Sequence, residues 1–279
     1  MTRFFKLSGC GNDFIALVEP AAPPTAPEIR AWCRRGLSLG ADGVFALSRI
    51  EAGVEMRYWN SDGGPAALCL NGTRCAALLA LHLGFCRERV TVRTGAGDLA
   101  ARRLDDGTMA VEAPPPSAAG EITLRTADGE FQGWRVSVGV PHFVCFRDTT
   151  VEEVPLERWA PPLRRHRELG PEGANVDFVS VLSRRRLSIR SFERGIEGET
   201  LACGTGVLAA AAAGVAAGLV ELPLRAHTRG GFPLDVLGAA AGGGIERWEL
   251  AGDARLIAEG RLSSGAAEAP LDRPAKEAP

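Results

Sequence analysis

Lysine is nearly missing from this chain. Of 32 basic residues only Lys6 and Lys276 are lysines, the rest being arginine. Pyridoxal phosphate enzymes need a lysine for the internal Schiff base. Lys6 lies near the start of the first strand-like run and Lys276 in a Pro/Ala/Glu-rich tail, so neither is placed for that chemistry. No Cys-x-x-Cys or Cys/His cluster has zinc-site spacing, so no structural metal is expected. There is no long apolar run either: Val207 to Val220 is short and broken by glycines, which excludes a membrane-spanning helix there. Net charge is only -2, which gives no reason to expect a nucleic-acid partner or an anionic membrane surface. Met1–Lys6 runs straight into a strand pattern and lacks the apolar core of a signal peptide, so the cytoplasm is the expected location.

The cysteines fit that compartment. There are seven, at positions 10, 33, 69, 75, 86, 145 and 203, an odd number that argues against a disulfide framework. Cys33, Cys86 and Cys145 read as small buried hydrophobes, and Cys75 as packing one turn into a helix.

Length suffices for two domains. Strand patterns over 4–7, 14–18, 44–47 and 54–59 precede a helix over about 72–83, and further strands follow at 90–93, 97–103 and 108–112. Pro114-Pro115-Pro116 with Ser117 to Gly120 reads as a linker. After it the order recurs, so the chain looks duplicated. Asn12-Asp13-Phe14 pairs with Asn175–Phe178, and Met56–Asn60 with Ile189–Glu193. Twelve positions separate Arg57 from Cys69 and thirteen separate Arg190 from Cys203. The domains are expected at 1–113 (with a strand returning from about 254–262) and 117–253, followed by an unstructured tail over 263–279. Two α+β halves of one plan imply a pseudo-two-fold with a cleft between them.

Each half carries one cysteine at the mouth of a turn that opens a helix: Cys69-Leu70-Asn71-Gly72-Thr73-Arg74-Cys75 and Ala202-Cys203-Gly204-Thr205-Gly206. Unpaired N–H groups and the helix dipole favour negative charge there, which lowers a thiol pKa. Two such thiols suit a reaction that takes a proton from one face of a carbon and returns one to the other. Backbone N–H groups around Asn71–Thr73 and Gly204–Gly206 could hold the carboxylate onto which the carbanion spreads.

These stretches stand among others in a familiar order: Gly11-Asn12-Asp13-Phe14, Gly40-Ala41-Asp42, Asn60-Ser61-Asp62-Gly63, Pro141-His142, Asn175-Val176, Glu193-Arg194-Gly195 and Gly198-Glu199-Thr200. Together they resemble the diaminopimelate epimerase family, from about residue 3 to 262. The resemblance implies two similar domains, each a central helix wrapped by a mixed or antiparallel sheet. It also implies cofactor-independent interconversion of LL- and meso-2,6-diaminopimelate, a small diamino-dicarboxylate on the lysine and peptidoglycan route. By it, Cys69 and Cys203 are the acid/base pair, and Asn12 contacts the substrate near the reacting centre. Asn60, Asn175, Glu193 and Arg194 hold the distal end, and Leu70, Asn71, Gly204 and Thr205 line the reacting end. A homodimer is admitted by the resemblance but is not readable in the residues. Leu70, Val140 and Gly43 depart from the family pattern, and Glu197 is a one-residue insertion. Two readings therefore stand beside the first: an epimerase of the same fold acting on another amino acid, and a binding homologue without turnover.

Overall fold

The structure, a computed structural model, describes residues 2–241 and 244–267. The chain divides into two compact units, one running to Arg102 and taken up again from Ala254, the other spanning Arg103–Asp253. Both are α+β and built mostly of strands.

The first unit contains β1 (Arg3–Gly9), β2 (Asn12–Val18), α1 (Ala26–Cys33), β3 (Gly43–Ile50), β4 (Gly53–Asn60), β5 (Pro65–Ala66), α2 (Leu70–His82), β6 (Arg89–Thr94) and β7 (Gly97–Arg103). The second contains β8 (Met109–Ala113), β9 (Ser117–Thr126), β10 (Gly129–Ser137), β11 (Pro141–Phe146), α3 (Leu156–Arg164), β12 (Asn175–Ser183), β13 (Arg186–Glu193), β14 (Gly198–Thr200), α4 (Gly204–Ala216), β15 (Leu224–His227), β16 (Pro233–Ala241) and β17 (Gly244–Gly252). β18 (Arg255–Arg261) returns to the first unit, where it pairs antiparallel with β1.

The ladders repeat. In the first unit β1–β2 is antiparallel, β2–β3 parallel, β3–β4 antiparallel and β4–β6 parallel. In the second, β10–β11, β11–β12, β12–β13 and β13–β15 follow the same alternation. This corrects one sequence pairing. β12 corresponds to β3, not β2, so Asn12 has no counterpart in Asn175; the match of β4 with β13 holds. The Ser117–Gly120 stretch is not linker: it starts β9, which forms a hairpin with β10. The units divide at Arg102/Arg103, ahead of that stretch, because β8 pairs with β17. Residues 263–267 are also not a loose tail. Leu262 packs in a core cluster with Ile29 and Trp32, and Ser38 Oγ donates to the Ala266 carbonyl at 3.1 Å. The rest of the expected tail, 268–279, lies outside the described residues.

Each unit is organised on its long helix. α2 packs against β1, β2, β4, β6 and β18, and α4 against β9, β10, β11, β12 and β16. Both helices bury residues all round, as central helices must: the first eight residues of α2, Leu70–Ala77, and Val207–Ala213 of α4 are buried. Alanine and glycine allow strands to approach so closely. Among the described residues, no helix is long and apolar enough to cross a membrane.

Candidate active site

Both cysteine turns form helix N-caps. Cys69 has extended backbone (φ -142°, ψ 102°) ahead of α2, and its Sγ accepts the Gly72 N–H at 3.4 Å. Cys203 holds the same N-cap position ahead of α4 (φ -102°, ψ 106°), but its side chain accepts no capping N–H; its Sγ lies 3.5 Å from Thr205 Oγ1. Both thiols thus stand at a helix N-terminus, and Cys69 takes one of its orphan N–H groups. Their surroundings differ.

In the first unit the groups around Cys69 are donors and neutral acceptors. Asn12 opens β2 and points Oδ1 at Cys69 Sγ, 3.9 Å away, while its amide donates to Asp42 at 2.8 Å. Asp42 also accepts the Asp13 N–H at 3.0 Å and Arg35 at 2.9 Å. Asp13 is the centre of this support, with Lys6 Nζ at 2.6 Å and Arg35 at 2.5 Å. Burial works against its charge, yet Arg35 and Lys6 outweigh it and hold the carboxyl down at about 2. Lys6 is therefore an anchor for the Asn12 turn.

Asn71 follows Cys69 by two positions and is turned inward: its Oδ1 accepts from Arg74 at 2.7 Å. Arg74 is wholly buried, and the same nitrogen lies 3.2 Å from Cys10 Sγ. Leu70 is buried, whereas Asn60, at the end of β4, is exposed.

The second unit surrounds Cys203 with acid. His142 Nδ1 lies 2.7 Å from Asp177 Oδ2, both side chains having no exposure. Ser191 donates to the other Asp177 oxygen at 2.6 Å. Since Asp177 accepts, His142 Nδ1 carries the proton and Nε2 is left as acceptor for the Asn175 amide at 3.4 Å. Asn175 Oδ1 in turn accepts the Arg194 N–H at 2.7 Å. The chain Asp177–His142–Asn175–Arg194 is thus oriented throughout. Glu193, at the end of β13, accepts Thr200 at 2.5 Å and lies beside Cys203. Burial pushes the Glu193 carboxyl up. Cys203 is pushed well up, by burial first and then by the charges of Glu193 and Asp177. These surroundings favour the thiol form of Cys203 over the thiolate. Gly206 is needed beside this cluster, because a Cβ there would stand 2.4 Å from Asp177 Oδ1.

The Arg194 guanidinium is already occupied: it meets Glu172 at 2.5 Å. The two residues line a recess of about 560 Å³ with Arg164, Arg165, Pro171 and Gly195. Glu197 fastens the Arg194 turn to the end of α3, taking Arg164 at 2.7 Å, Arg165 at 2.8 Å and the Gly195 N–H at 3.2 Å.

A family model described as diaminopimelate epimerase matches residues 4–118 and 134–236. The chain belongs to that family. The diaminopimelate epimerase of Aquifex aeolicus is 34% identical over 276 residues, covering 94% of this chain and 98% of its own. That of Methanothrix thermoacetophila is 38% identical over 82% of this chain and 86% of its own. Among solved structures, a PhzF-family phenazine biosynthesis protein from Bacillus anthracis superposes with TM-score 0.68 at 14% identity, over 94% of this chain and 99% of that one. A hydroxyproline epimerase from Agrobacterium vitis gives 0.64 at 15%, over 93% and 91%. At such identities these two show a shared fold.

In this diaminopimelate epimerase family member the expected residues fall into two groups. Cys69, Leu70, Asn71, Asn12 and Asn60 belong to the first unit; Cys203, Gly204, Thr205, Asn175, Glu193 and Arg194 belong to the second. Sequence reasoning passed over Asp177 and Ser191. The signal was there: an aspartate in the otherwise apolar Asn175–Val179 run is a buried charge that demands a partner. Burial pushes the Cys33 thiol up to about 12. Among the described residues, no group of His, Cys, Asp and Glu side chains is placed to hold a metal ion.

Proposed function

We propose that this chain inverts an α-carbon of 2,6-diaminopimelate, interconverting the LL and meso isomers by proton transfer between two cysteines. Cys69 and Cys203 work on opposite faces of the carbon. What supports this beyond family membership is the contrast between the two thiols. Cys69 Sγ accepts the Gly72 N–H, which favours thiolate. Cys203 lies among carboxylates and burial, which favour thiol. One base and one acid are the resting state a two-base epimerase requires. From LL substrate, one thiolate takes the α-proton while the facing thiol gives its own, and the pair ends with protonation states exchanged. The carbanion's charge spreads onto the α-carboxylate, held by N–H groups at the two helix N-termini. After a forward turnover the exchanged pair runs the reverse step directly; from the resting enzyme, Cys203 first passes its proton to Glu193 and Cys69 takes one from solvent. Arg194 binds the distal carboxylate in bidentate fashion, and Asn12, Asn60 and Asn175 complete the contacts. No cofactor enters. A cytoplasmic site suits an enzyme whose seven cysteines are all free thiols.

The test is hydrogen exchange. Under reductant in deuterated water, LL-diaminopimelate should gain deuterium at one α-carbon and yield the meso isomer. Cys69→Ala and Cys203→Ala should each abolish inversion. Exchange only with another amino acid would transfer the reading to a related substrate; full activity in Cys203→Ala would end the two-base mechanism.

A further inference from the structure

Tyr58 is the only tyrosine in the chain. It lies on β4 with Val54 and Met56 on the same inward face, beneath the Cys69 turn. Two contacts fix its ring. Phe14 meets it edge-on, centroids 6.0 Å apart. The ring also lies against Gly43, the β3 partner of Phe14: a Cβ at Gly43 would stand 2.6 Å from Tyr58 Cε2 and 2.7 Å from its Oη. Any larger residue at position 43 would push the phenol away. Held so, the hydroxyl lies within reach of the Cys69 thiol, whose other hydrogen-bond partners are the Gly72 N–H and Asn12 Oδ1.

We propose that Tyr58 stabilises the Cys69 thiolate: its phenol O–H donates to Sγ, with the Gly72 N–H as the second donor, and so sets the pH at which Cys69 becomes a base. The inference rests on the reading of Cys69 as a base, and it adds a group that this reading did not include. A neutral donor strengthens its hydrogen bond when the acceptor gains charge, so it shifts the sulfur toward thiolate. The phenol is suited to remain the donor. Burial first, then the charges of Cys69, of Asp42 just ahead of β3 and of Cys33 at the end of α1, push its own ionisation up.

Alkylation of individual thiols by iodoacetamide, located by peptide mass spectrometry and followed against pH, reads this without turnover. Tyr58→Phe keeps the ring packing on Phe14 and Gly43 and removes only the hydroxyl. The midpoint for Cys69 should rise by about one pH unit, so that alkylation on the acid side slows about tenfold. The midpoint for Cys203 in the same sample should stay. The reciprocal measurement uses the single tyrosine: its tyrosinate absorbance should appear at lower pH in Cys69→Ala than in the parent protein. An unmoved Cys69 midpoint, an equal shift of both thiols, or identical tyrosinate titrations would each overturn the proposal. A failure of the epimerase reading would appear elsewhere, as inversion surviving Cys69→Ala.

Discussion

Gly72 and Gly206 stand three residues after Cys69 and Cys203, at the same place in duplicated turns, yet alanine should have opposite effects at the two. At Gly72 a Cβ would meet Met56 Cε at 2.9 Å and Cys69 Sγ at 3.5 Å. The first is the free end of a flexible side chain and the second is ordinary contact. Alanine in a helix gains about 0.5–1 kcal/mol over glycine, so Gly72→Ala should be neutral or up to about 1 kcal/mol more stable. At Gly206 the Cβ would lie 2.4 Å from Asp177 Oδ1 and 3.1 Å from Ser191 Oγ. Asp177 has no exposure and is held by His142 at 2.7 Å and Ser191 at 2.6 Å, so it cannot yield without losing a charged hydrogen bond. Overpacking costs about 1–3 kcal/mol and such a bond about 1.5–3 kcal/mol. After the helix gain is subtracted, Gly206→Ala should lose roughly 1.5–5.5 kcal/mol. Urea unfolding read by tryptophan fluorescence and far-ultraviolet dichroism compares the two variants, with thermal melting as a second measure. Equal stabilities would refute the claim that a buried carboxylate occupies the glycine's space in the second turn.

Glu193→Gln should cut inversion by about 100-fold or more, as loss of a general acid/base group does. Because the Glu193 charge holds the Cys203 thiol up, the same variant should alkylate Cys203 at lower pH; an upward shift would contradict the geometry. Glu172→Gln frees the Arg194 guanidinium from an internal carboxylate and should lower KM for diaminopimelate about two- to fivefold, the range of an exposed ion pair. A raised KM would show that Glu172 helps rather than competes. Asp13 makes acid stability testable. Its folded carboxyl sits at about 2 against an ordinary 3.8, so its contribution is complete above about pH 4 and is lost as pH falls toward 2. Asp13→Asn should flatten stability against pH in that window, by on the order of 1–2 kcal/mol; an unchanged slope would remove Asp13 from the acid response.

Local patterns carried much of this molecule into view. The helices opened by Cys69 and Cys203, the strand ahead of each, and the equivalence of β4 with β13 could all be read from periodicity and turn residues. Pairing order could not, since a ladder joins residues far apart in sequence. That is why Asn12 was matched with Asn175, and why Ser117–Gly120 looked like linker although its strand finds a partner in β10. Burial patterns also hid roles. Asp177 lies in a run that reads as plain strand, and its value comes from His142, 35 residues earlier. Tyr58 reads as one more half-buried strand residue until Gly43 is seen beneath it.

The pairing of β18 with β1 sets an order of manufacture. β1 must wait for β18 to be made before that edge is paired. A growing chain can finish Arg103–Asp253 while β1 still waits with an open edge, so the second unit can mature before the first. During that interval the β1 edge is a template for any passing strand. A ribosome that stalls or stops short of Arg255 would release a chain with one half complete and the half bearing Cys69 unsealed.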